Sequence, residues 1–155
     1  MALVLAKKGF TLIEIIIVVS IMVIVALISR EFYGSFAMES SVENSAGTIV
    51  FDLRNARDKA MNGQGGNNWG IHFINSTNDY YQVFSSPTDY SHASKTIETT
   101  TYLGGNIKFS VPTESATADI IFTKLSGNAT NTSVTIFSGQ KQKTISVKAL
   151  GLIDY

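Results

Sequence analysis

Lys7-Lys8-Gly9-Phe10-Thr11-Leu12-Ile13-Glu14 opens directly into IIIVVSIMVIVALIS, residues 15–29. Two lysines and a glycine precede an apolar run that holds one acid, Glu14, near its start. From Phe10 to Ser29 the run has about the length, roughly 20 residues, that spans a bilayer core as a helix. A carboxylate inside such a run costs about 2.5–3.5 kcal/mol on insertion scales, which marks Glu14 as a functional residue. A secretory signal has a shorter apolar region, roughly 7–15 residues, with a small-x-small cleavage site after it. Ser29-Arg30-Glu31-Phe32-Tyr33 offers no such site. The run is apolar on every face, which argues against a soluble core helix. Lys7 and Lys8 lie before it, whereas Arg30 and Glu31 cancel after it. The positive-inside rule then keeps the N-terminus cytoplasmic and places the rest outside.

Beyond the run, Val42, Ala46, Ile49, Leu53, Ala56 and Ala60 recur at three- and four-residue spacing. That stripe predicts an amphipathic continuation of the same helix, packed on one side. Gly34 and Gly47 weaken it locally, and no proline interrupts 10–61. Asn62-Gly63-Gln64-Gly65-Gly66-Asn67-Asn68 ends it, because glycine and asparagine accept left-handed backbone. This glycine-rich segment follows a helix and lacks a Gly-Lys-Ser/Thr ending, so it is a stop signal and not a phosphate cradle.

The period then changes from helical to alternating. Strands are predicted at 69–74, 80–84, 97–103, 107–111, 119–125, 133–137 and 144–149, separated by Gly-, Asn-, Ser- and Pro-containing turns. The expected fold class is α+β: a long N-terminal helix whose outer half packs on a C-terminal antiparallel β-sheet domain. The expected segments are 1–9 as a leader, 10–29 as a transmembrane helix, 30–62 as its amphipathic continuation and 63–155 as the β-domain.

Composition narrows the chemistry. The 155 residues carry 12 Lys and Arg against 12 Asp and Glu, so no global charge points to nucleic acid. The absence of cysteine excludes disulfides, thiolate metal sites and cysteine nucleophiles. His72 and His92 are the only histidines, and neither stands in a metal-ligand spacing. No Gly-x-Ser-x-Gly elbow occurs. These features predict a chain that is not an enzyme and holds no metal or cofactor. Trp69 is expected to anchor the helix end to the sheet. Asn75-Ser76-Thr77, Asn128-Ala129-Thr130 and Asn131-Thr132-Ser133 fit the N-glycosylation pattern but serve as turns.

The segment from Lys7 to Glu14 resembles the leader and cleavage site of type IV pilins and type II secretion pseudopilins. It combines a basic leader, a glycine before the cut, a phenylalanine after it and a glutamate four residues further on. The resemblance implies a pilin fold, cleavage by a prepilin peptidase between Gly9 and Phe10, and N-methylation of Phe10. It also implies pairing of Glu14 with the Phe10 amine of a neighbouring subunit, which sets axial register. A second resemblance covers much of the rest. Val50-Phe51-Asp52-Leu53-Arg54-Asn55-Ala56-Arg57 and Trp69-Gly70-Ile71-His72-Phe73 resemble the helix end and first strand of the H-type minor pseudopilins. Residues 121–127 and 148–153 resemble that group's final strands. The chain departs from many pilins in lacking a proline at 30–32 and paired cysteines, and Asp154 alone cannot form a calcium site.

The implied role is a structural subunit, a minor pseudopilin or minor pilin of a type II secretion pseudopilus or type IV pilus. Its implied partners are other pilin or pseudopilin subunits, the prepilin peptidase, an assembly platform and the inner membrane. The alternative is a DNA-binding minor pilin of an uptake system, with weak phosphate contacts from Lys141, Lys143 and Lys148.

Overall fold

A computed structural model describes residues 9–155, apart from the side chains at 29–33. Lys7, Lys8 and most of the expected leader lie outside the described residues. Helix α1 runs without interruption from Leu12 to Met61, through both Gly34 and Gly47. The chain divides into two compact units, Met1–Ala37 and Met38–Tyr155. The division therefore falls inside α1, and the last turns of the helix belong with the β-structure.

In the first unit the apolar side chains from Leu12 to Ile28 are all about half exposed or more. Ser20 satisfies its hydroxyl on the carbonyl of Ile16, 2.8 Å away, so it adds no unpaired donor to this apolar surface. The expected span, 10–29, runs into the positions whose side chains are not described. Among the described residues no helix is long and apolar enough to cross a membrane.

In the second unit the predicted stripe is the buried face of α1. Val42, Ala46, Ile49, Leu53, Ala56 and Ala60 are all buried, together with Val50. Small alanines at three of these positions let the sheets approach the helix backbone closely. Phe51 points off the stripe and is 67% exposed.

The β-structure is two four-stranded sheets. Strands β1 (Asn68–Ile74), β2 (Tyr80–Ser86), β3 (Thr96–Tyr102) and β5 (Thr117–Phe122) form the first, in the order β3-β2-β1-β5. Strands β4 (Lys108–Val111), β6 (Thr132–Ser138), β7 (Lys141–Val147) and β8 (Ile153–Asp154) form the second, in the order β4-β6-β7-β8. All pairings are antiparallel. Alternate residues of each sheet, such as Ile71, Phe73 and Tyr81 of the first and Val134, Ile136 and Ile145 of the second, join the helix stripe in one core.

A polar clamp joins the sheets at the β1–β2 turn. Buried Asn75 donates through Nδ2 to the carbonyls of Phe109, at 3.0 Å, and Pro112, at 2.7 Å. Buried Asp79 accepts the Phe109 N–H at 2.6 Å and the Ser76 N–H at 3.0 Å. Trp69 is buried in β1, and its indole N–H donates to the Gln64 carbonyl at 2.9 Å in the turn after α1. This is the anchoring role expected of it.

Candidate functional site

The peptide from Gly9 to Thr11 precedes the helix, and Phe10 is 84% exposed. The Gly9–Phe10 bond thus lies outside the helix, between two exposed residues. Thr11 is the residue from which the helix starts, since its carbonyl accepts the Ile15 N–H at 3.3 Å. Its hydroxyl accepts the Glu14 N–H at 3.3 Å. Glu14 Oε2 in turn accepts the Thr11 N–H at 3.0 Å and the Thr11 hydroxyl at 2.9 Å. The two residues form a reciprocal capping box. Its signal, Thr-x-x-Glu ahead of an apolar run, stands in the sequence. Both members lie on the Phe10 side of the expected cut, and Glu14 Oε1 takes no part in the box.

The three lysines considered for phosphate contacts are each paired with a carboxylate. Lys141 Nζ lies 2.8 Å from Glu39, Lys143 Nζ 2.9 Å from Glu43, and Lys148 Nζ 2.5 Å from Asp154. The Lys141 ammonium holds the Glu39 carboxyl below its ordinary range. These pairs leave none of the three lysines as an uncompensated charge. The first two also tie the flank of α1 to the second sheet.

The outer face of the first sheet carries a feature that sequence reading missed. Thr100, Gln82, His72 and Asp119 are cross-strand neighbours in one row across all four strands. Gln82 Nε2 donates to Thr100 Oγ1 at 3.1 Å, and His72 Nδ1 is bonded to Asp119 Oδ1. Tyr90, from the β2–β3 connection, stacks on His72 with ring centroids 3.6 Å apart and donates its hydroxyl to Gln82 Oε1 at 2.5 Å. Burial raises the Tyr90 phenol above its ordinary range. The antiparallel β1–β5 pairing brings His72 the Asp119 carboxylate from far along the chain. His92 is a loop residue whose Nδ1 accepts the Ser94 N–H at 3.0 Å. Among the described residues no group of three or more His, Cys, Asp or Glu side chains could hold a metal ion.

Residues 5–29 match the family described as the prokaryotic N-terminal methylation motif. The match takes in Gly9, Phe10, Glu14 and the apolar run, and it supports a type IV pilin-like, membrane-anchored precursor processed by prepilin peptidase. No curated protein and no solved structure matches the chain.

Proposed function

We propose that this protein is a structural subunit, a minor pseudopilin or minor pilin, of a type II secretion pseudopilus or a type IV pilus. The observation that carries this reading is the outward-facing apolar run from Leu12 to Ile28, placed directly after the matched methylation motif. So much exposed apolar surface, at roughly 25 cal/mol per Å², must be covered by lipid before assembly and by other subunits' helices afterwards. The precursor sits in the inner membrane with its N-terminus cytoplasmic. Cleavage after Gly9 frees the Phe10 amine, which is methylated. In the filament, that amine pairs with Glu14 of a neighbour; two charges that are each costly in an apolar setting then offset one another.

The resemblance of 50–57 and 69–73 to the H-type minor pseudopilins supports a place at or near the filament tip. Leu53 and Ala56 of the first segment are buried against the sheets, and the second segment is the central strand β1. Mass spectrometry of the protein purified from cells with an intact prepilin peptidase tests the reading. The expected N-terminus is methylated Phe10; an unprocessed chain, or one cut elsewhere, overturns it.

A further inference from the structure

We propose that the outer face of the first sheet holds a binding site for an uncharged polyhydroxylated ligand, a neutral sugar. A groove of about 430 Å³ opens beside β5. Its polar lining includes Thr88, Asp119, Thr123, Asn128 and Thr130. Ile121 and Ala129 add apolar surface to the lining. Asn68 closes one side and is already committed, with Nδ2 donating to the Thr88 carbonyl at 3.1 Å and Oδ1 accepting the Lys124 N–H at 3.0 Å.

The chemistry of the lining selects the ligand. Threonine hydroxyls donate and accept, an amide does both, and a carboxylate only accepts. That mixture matches hydroxyl groups, which also do both, while the apolar part of the lining suits the C–H face of a sugar ring. Asp119 is the fixed element, because His72 holds Oδ1 while the side chain remains 37% exposed. Its second oxygen can therefore accept a hydroxyl without first being ordered, which lowers the cost of binding. No lysine or arginine lines the groove, so an anion would meet the Asp119 carboxylate with no cationic side chain in the lining. A metal cation would find a single carboxylate, already shared with His72.

The test uses the full chain, isotope-labelled and held in zwitterionic micelles free of glycoside detergent. Maltotetraose, diacetylchitobiose and mannotriose are titrated separately, each to about 50 mM, beyond the millimolar range of a weak site. At least one sugar is expected to give saturable amide shifts at Asp119, Thr123 and Asn128. The affinity should fall at least about tenfold, or 1.4 kcal/mol, in Asn128→Ala and in Thr123→Val. Both side chains are exposed, so the fold is kept, and unchanged spectra elsewhere verify it. Silence with all three sugars overturns the proposal. So do shifts that survive both substitutions, or a response at these residues to spermidine or an oligonucleotide in place of sugar.

Discussion

The Tyr81 hydroxyl donates to Asp52 Oδ2 across 2.7 Å, joining the core face of β2 to the flank of α1. Burial, and then the Asp52 carboxylate, push the Tyr81 phenol well above its ordinary value of 10.0. Folding thus favours the protonated phenol. This contribution is complete below pH 10 and is lost as pH rises above it, where the unfolded chain ionises first. Thermal unfolding of the full chain in micelles should show stability falling faster above pH 10 in the wild type than in Tyr81→Phe. At neutral pH the substitution should cost about 1–3 kcal/mol, because Asp52 loses a partner. Equal pH profiles for the two proteins would refute the coupling.

Asp79→Ala leaves the Phe109 and Ser76 N–H groups without their acceptor. The Phe109 donor is buried, and a buried donor left unpaired costs about 1–3 kcal/mol, so the loss should exceed that of a typical surface substitution. Denaturant midpoints at constant m-value measure it. Hydrogen exchange should accelerate first at Phe109, the donor on the second sheet.

Gly70→Ala introduces a Cβ 2.5 Å from the Ile120 carbonyl oxygen and 3.2 Å from Phe84 Cε1. The neighbour that must yield is backbone of the adjacent strand. Overpacking of this kind costs typically about 1–3 kcal/mol. A midpoint matching the wild type would mean that β1 and β5 separate more easily than their register implies.

Lys141→Ala and Lys143→Ala should leave DNA retention in gel shifts unchanged, because both ammonium groups are already paired. Glu39→Gln with Glu43→Gln should uncover them and raise retention at low salt only. The exposed pairs contribute little to folding, so the melting midpoint should move by no more than about 2 °C. Strong retention by the wild type at physiological salt would contradict this.

Glu14 caps the helix and is proposed to pair with a neighbour's amine, and substitutions can separate the two roles. Thr11→Ala removes the hydroxyl from the capping box and keeps the carboxylate; incorporation into sheared filaments should fall modestly. Glu14→Gln retains a cap acceptor and loses the charge; incorporation should be nearly abolished, as in Glu14→Ala. If Glu14→Gln assembles like wild type, capping is the residue's main role and the ion pair with the Phe10 amine is not required.

The helix and most strands were legible because their signals are local. The stripe from Val42 to Ala60 needs only a 3.6-residue period, and alternation placed seven strands within a few residues of where they lie. Strand β8, Ile153–Asp154, is too short to alternate. The partition into two sheets was not legible, since β5 leaves its chain neighbours to pair with β1. The His72–Asp119 bond was hidden for the same reason. The pairing of Glu39 and Glu43 with Lys141 and Lys143 follows from two periods that nearly agree. Four residues of helix rise about 6 Å, and two residues of strand rise about 6.6–6.8 Å. One residue spacing on α1 can therefore be matched by another on β7, but only once the two elements are known to lie side by side.

The boundary between compact units at Ala37–Met38 offers a seam for splicing this protein. A chimera that exchanges the β-structure at the end of the helix, after Met61, would pair a foreign sheet with this chain's alanine stripe and with Glu39 and Glu43. A seam between Ala37 and Met38 moves sheet, stripe and carboxylates as one cassette. It leaves the expected cleavage site, the capping box and the whole apolar run with the donor of the N-terminus.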